Sequence, residues 1–186
     1  MMNRLVIMTV GKTHSGKTTF AKALEKELHN SVVIDQDNHA EFLHTYYQTL
    51  LPKNGPNLIK YALTQTIVEY AVNETDCHLI LCNSNRSRAA RMKRLEHYHE
   101  KGFTSILVDF DISEHILKER IAKSNRSTTI LRTALTFEEV LTRQEKEINK
   151  DVIAPINGEA NHLFVINHPD EVQSVIHRIV KIARPY

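Results

Sequence analysis

Two cysteines, five glycines and a formal charge of only +2 leave this 186-residue chain without the marks of several protein classes. Cys77 and Cys82 are too few for a disulfide scaffold or an all-cysteine zinc site. Lys plus Arg number 24 against 22 Asp plus Glu, a balance that argues against a polybasic coat for nucleic acid. The longest apolar run, Leu5 to Val10, cannot span a bilayer, and no signal-peptide pattern precedes it. A soluble, cytoplasmic protein with no membrane partner is expected. No G-x-G-x-x-G occurs, which removes the Rossmann dinucleotide fingerprint. The eleven histidines contain no H-E-x-x-H, and His97 and His99 fall on different faces of a helix, so no histidine metal site is expected.

With glycine so scarce, the position of each one is informative. Gly55 precedes Pro56 in a turn, Gly102 follows a periodic segment as a helix C′ residue would, and Gly158 lies in a polar loop. The remaining two, Gly11 and Gly16, sit five apart in one short motif.

Strand and helix patterns alternate along the whole chain. Leu5–Val10, Val32–Ile34, Leu79–Cys82, Ser105–Phe110 and His162–Ile166 read as short buried strands. Between them, 17–28, 58–72, 86–101 and 113–123 carry helical apolar spacing. A helix is also expected near Asn38. Thr136-Phe137-Glu138-Glu139 has capping-box spacing and opens a further helix towards Lys150, while Pro169 suits the first turn of a last one. Right-handed crossovers then give a three-layer α/β/α domain around a five-stranded parallel sheet. One domain over residues 1–186 is expected.

Gly11-Lys12-Thr13-His14-Ser15-Gly16-Lys17-Thr18 matches G-x-x-x-x-G-K-[ST] without a mismatch, between an apolar strand and a periodic helix. In such a P-loop the glycines let successive N–H groups point inward as an anion nest, and the following helix adds its positive end. Nucleoside triphosphate binding by Gly11 through Thr18 and Thr19 is therefore expected. Lys17 would reach the terminal phosphates, and the Thr18 hydroxyl would ligate Mg²⁺. His14 and Lys12 lie inside the loop, where side chains often point outward. No guanine-reading N/T-K-x-D segment is present, which argues against a GTPase.

The succession of GKTHSGKT, VVIDQD, LILCNSNRSRAAR, SILVDFDISEHILKER and an arginine-bearing polar segment resembles the small P-loop kinases, the adenylate-, shikimate- and gluconate-kinase-like group. The pattern is most similar to its polynucleotide-kinase and zeta-toxin-like branch. The resemblance implies an ATP-dependent phosphotransferase acting on a hydroxyl of a small-molecule, nucleotide or nucleic-acid acceptor, with ATP and Mg²⁺ as cofactors. A nucleic-acid end fits that requirement, although the net charge does not single it out. Asp37 stands where the branch carries the carboxylate that accepts the hydroxyl proton, a role within reach of any well-placed carboxylate. Ala40 stands where the branch has arginine. Asn83 stands where related kinases have aspartate, ahead of Asn85; an amide there supplies neither charge nor a base.

Asp35 and Asp37 are expected either to contact substrate and metal or to cap the next helix. Arg120 and Arg126 match arginines that close a lid, at about residues 124–136, over the transferring phosphoryl group. The same reading leaves Arg132 open. Arg88 shares a helical stripe with Met92, Leu95 and His99, and cations at a helix N-terminus call for a compensating anion. Arg88 and Arg91, with Asn85, are therefore expected to contact a phosphate-bearing acceptor. Asn83 and Ala40 also fit a second reading, a nucleotide-binding regulatory protein with weak or no kinase activity.

Overall fold

In the computed structural model, residues 4–132, 134–147 and 150–184 are described. Strands β1 (Leu5–Gly11), β2 (Ser31–Asp35), β3 (His78–Cys82), β4 (Thr104–Phe110) and β5 (His162–Ile166) form one sheet in the order β2-β3-β1-β4-β5. Every pairing is parallel, with Val6 beside Leu79 on one side and Ser105 on the other. The helices are α1 (Lys17–Glu27), α2 (Gln36–Tyr46), α3 (Leu58–Glu74), α4 (Arg88–Glu100), α5 (Glu114–Ala122), α6 (Phe137–Lys146) and α7 (Val172–Ala183).

Side-chain alternation along β1 creates two cores. Leu5 and Ile7 point to one face, where they pack with Phe20 and Leu24 of α1, Leu117 of α5 and Ile176 and Ile179 of α7. Val6, Met8 and Val10 point to the other, against Val68 and Val72 of α3 and Leu95 of α4. A strand covered on both faces must be apolar throughout, as β1 is. The chain leaves β1, passes over β3 to reach β2, and later passes over β1 to reach β4. That reversal opens a crevice at the carboxyl ends of β1 and β3, the place such sheets bind ligands.

Several boundaries differ from the sequence reading: α3 runs on to Glu74, and α4 begins at Arg88 rather than at 86. Helix α2 starts at Gln36 rather than near Asn38, because Asp35 is its N-cap: Oδ1 accepts from the Asp37 N–H at 2.9 Å. Pro169 opens a 3₁₀ turn, Pro169–Glu171, boxed by His168 and Glu171, before α7. Helix α6 ends at Lys146; the expected continuation towards Lys150 falls partly on Ile148 and Asn149, outside the described residues. Thr133, within the expected lid, also lies outside them.

Candidate functional site

The loop from Gly11 to Thr18 turns at the carboxyl end of β1. At Gly11, φ is +144° and a Cβ would stand 3.0 Å from both the Cβ and the carbonyl oxygen of Phe110, so no side chain fits. Gly16 caps α1 with φ +103°. The Lys17 ammonium curls back to the Lys12 carbonyl and donates to Ser15 Oγ at 3.1 Å. Burial, opposed only partly by nearby carboxylates, brings its pKa down to about 8.

A cleft of about 990 Å³ opens over this loop, large enough for a nucleotide and a second small molecule. Thr13, His14, Ser15, Gly16, Lys17, Thr18 and Thr19 line it, with Asp35, Asp37, Asn83, Arg120 and Arg126. The Thr18 hydroxyl donates to Asp35 Oδ2 at 3.1 Å, so one carboxylate both caps α2 and touches the loop. These are hard oxygen donors of the type Mg²⁺ takes. Cys82 Sγ lies 3.6 Å from the same hydroxyl, and burial pushes its thiol up to about 11. Asn83 reaches the cleft as well, its Oδ1 accepting from the Gln36 N–H at 3.4 Å.

The two arginines expected at the phosphoryl group also line this cleft. Arg120, in the last turn of α5, donates to the His14 carbonyl at 3.1 Å. Arg126 donates to the Asp37 carboxylate and lies 5.1 Å from the centre of the Phe137 ring. Asp37 and Arg126, expected separately as base and lid cation, thus meet across the cleft.

His14 does more than point outward. Its Nδ1 is 3.0 Å from Thr13 Oγ1, its Nε2 3.0 Å from Ser124 Oγ, and its ring meets Phe137 edge-on at 4.8 Å. Burial and the charges of Arg126, Lys17 and Arg120 hold its pKa below the usual histidine value, so the ring is neutral at pH 7. Gln144 of α6 carries no sequence signal, yet its Oε1 accepts from the Thr13 N–H at 2.8 Å, one of the loop's own donors. Lys60 and Tyr61 of α3 also line the cleft, with the ammonium 4.8 Å above the ring.

Five expected contacts lie outside the cleft lining. Gly11 and Lys12 do not line it, and the Lys12 ammonium faces Glu145 at 3.9 Å. Arg91 is fully buried and donates three bonds to Glu159, from Nε to Oε2 at 3.2 Å and from Nη2 to Oε2 at 3.0 Å and Oε1 at 3.3 Å, and donates to the carbonyls of Asn85, Arg86 and Ile153. Arg88 joins the same carboxylate at 3.0 Å. Asn85, at φ +45°, donates to the Thr9 carbonyl at 2.8 Å and accepts from Arg94 at 2.6 Å. Arg88 and Arg91 tie α4 to the loop before β5, Asn85 ties α4 to β1, and none of the three lines the cleft. The buried stripe of α4 is Arg91, Leu95 and Tyr98, one step from the expected one. The anion called for at the α4 N-terminus is Asp151, which accepts from the Ala89 N–H at 2.7 Å and from the Ser87 hydroxyl.

A family model described as an AAA domain matches residues 6–146. A comparison with the curated proteins found no match. Several solved structures share the fold. Kti12 from Chaetomium thermophilum, in complex with ADP-AlF3, aligns over 97% of this chain and 100% of its own, with 15% identity and a TM-score of 0.63. Mycobacterium tuberculosis APS kinase, in complex with AMPPNP and APS, covers 96% and 99%, with 16% identity and a TM-score of 0.58. A gluconokinase from Sinorhizobium meliloti covers 97% and 95%, with 16% identity and a TM-score of 0.53. At such identities the likeness is one of fold.

Proposed function

The chain belongs to the AAA domain family, whose model spans residues 6–146, and from that premise we propose a nucleotide-dependent phosphotransferase. It moves the γ-phosphoryl group of ATP to a hydroxyl of a small-molecule, nucleotide or nucleic-acid acceptor. The observation that carries this reading is the meeting of Lys17, Asp37, Arg120 and Arg126 around one cleft. Relatives of the same fold with a nucleotide in their complexes support the nucleotide half of it.

In this reading the N–H groups of Ser15 through Thr19 hold the phosphates, and Lys17 pairs with the terminal ones. Thr18 and Asp35 are the residues that would hold Mg²⁺, which supplies charge neutralisation on the phosphate oxygens. Asp37 orients the acceptor hydroxyl for in-line attack and takes its proton. Arg120, from the end of α5, and Arg126, from the lid, neutralise charge on the equatorial oxygens, and closure of the lid excludes water. Arg126 must then leave Asp37 for the phosphoryl group, which exposes the carboxylate only once nucleotide is bound. Among the described residues no helix is long and apolar enough to cross a membrane. Two free thiols and an ATP substrate fit a cytoplasmic setting.

The second reading, a nucleotide-responsive regulatory protein, draws on Asn83 at the cleft wall and on Gln144, which occupies a donor of the phosphate loop. Incubation with γ-labelled ATP and acceptor pools separates the two. Labelled acceptor, lost in Lys17→Ala and Asp37→Asn, supports the kinase; tight ATP binding with no labelled product supports the regulator.

A further inference from the structure

A second cavity, of about 250 Å³, lies beside the main cleft and shares Ile130 with it. It is lined by Ala40 and His44 of α2, Lys53 of the connection after α2, Asn57 at the start of α3 and Arg132 of the lid. Ala40 is three residues after Asp37, so it lies one helical turn, about 4.5 Å, along α2. Arg132 donates to the Pro52 carbonyl, which holds the lid down as the cavity's outer wall.

The charge here is one-sided. Lys53 and Arg132 are fixed cations, His44 adds a ring nitrogen, and among the described residues no carboxylate lines the cavity. The Oδ1 of Asn57 is engaged by the Lys60 N–H at 3.1 Å, which leaves its amide NH₂ as the remaining polar group. Two permanent cations match a phosphate monoester dianion, whereas a carboxylate would leave one cation unanswered. We propose that this cavity is the subsite for a phosphate monoester carried by the acceptor, whose hydroxyl lies a helical turn away at Asp37. The assignment to the acceptor rests on the phosphotransferase reading; the anion site itself does not.

The test fills the phosphate loop first, with Mg-AMPPNP, and then titrates inorganic phosphate calorimetrically. Wild type should show a saturable phosphate site, weakened at least about tenfold in the Lys53→Ala/Arg132→Ala double variant, with AMPPNP affinity held within about threefold. Both side chains are exposed, so the variant should fold, and an unchanged Tm checks this. No saturable phosphate binding in wild type, or equal binding in the double variant, overturns the site. A second arm offers γ-labelled ATP with pairs of acceptors, each a phosphate monoester and its dephosphorylated parent. Preference for the monoester by at least about tenfold, lost in the double variant, is expected. Equal labelling of both members overturns the acceptor assignment while the kinase stands. Labelling of neither overturns the kinase reading, and the phosphate titration alone then decides the site.

Discussion

Arg126, from the lid, donates to the carboxylate of Asp37 on the far wall of the cleft. About a third of the arginine side chain and half of the aspartate side chain remain exposed, so the pair contributes at most about 1 kcal/mol to stability. Its meaning lies in the chemistry. In the proposed reaction the Arg126 cation passes from the base to the phosphoryl group. Asp37→Asn should therefore change the unfolding free energy by less than about 1 kcal/mol and leave AMPPNP affinity within about threefold, while phosphoryl transfer falls by about 10²–10⁴. Denaturant titration, calorimetry and the γ-label assay measure the three quantities. A variant that unfolds easily or loses AMPPNP would show Asp37 to be structural instead.

Lys17 gives a pH signature. Its pKa in the free protein is held at about 8 by burial, and bound phosphate favours the charged form. Below pH 8 the ammonium is already protonated, and binding takes up no proton at this residue. Above pH 8 it must be protonated on binding, so AMPPNP affinity should fall by up to about tenfold per pH unit. Lys17→Arg keeps its charge throughout and should flatten that slope, even where its affinity is lower. An identical slope in wild type and Lys17→Arg would assign the proton to another group.

His14 engages both Arg120 of α5 and the segment that carries Arg126 from inside the phosphate loop. Its carbonyl accepts from Arg120, and its ring bonds Ser124, whose Oγ in turn accepts from the Arg126 N–H at 3.1 Å. His14→Ala deletes the ring and keeps the carbonyl, so it should loosen the Arg126 side selectively. Amide exchange across 124–131 should quicken by about tenfold, with the Lys17 region unchanged. Unaltered exchange in the lid segment would confine His14 to loop geometry.

The fold was largely legible because its signals are local. β1, the G-x-x-x-x-G-K-T turn and α1 are adjacent in sequence, and the apolar strands announce a sheet covered on both faces. Within the site, Lys17, Thr18, Asp35, Asp37, Arg120 and Arg126 all line the cleft, and all but Arg126 sit at or near the end of a helix or strand. What escaped depends on distant partners. Arg91 reads like any basic residue of α4, because the carboxylate that neutralises it is 68 residues on, in a loop without a periodic signal. Gln144 escaped for the same reason: 131 residues separate it from the N–H it caps.

The buried Arg91–Glu159 pair separates a structural arginine from a substrate-binding one. Neither side chain reaches the cleft, and both are almost wholly removed from water. Removing Arg91 strands a buried carboxylate with only the half-exposed Arg88 beside it and frees three carbonyls that it bonded. Arg91→Leu should therefore cost about 3–5 kcal/mol in denaturant unfolding. Glu159→Leu strands the guanidinium and should cost a similar amount. In the double variant no buried charge is left, so the total should fall short of the sum of the singles by about 2 kcal/mol or more. The three orphaned carbonyls keep it from returning to the wild-type value. AMPPNP affinity, measured where each variant is folded, should stay within about threefold of wild type. Additive stability losses together with weakened nucleotide or acceptor binding would restore Arg91 to the site, against its burial beneath Glu159.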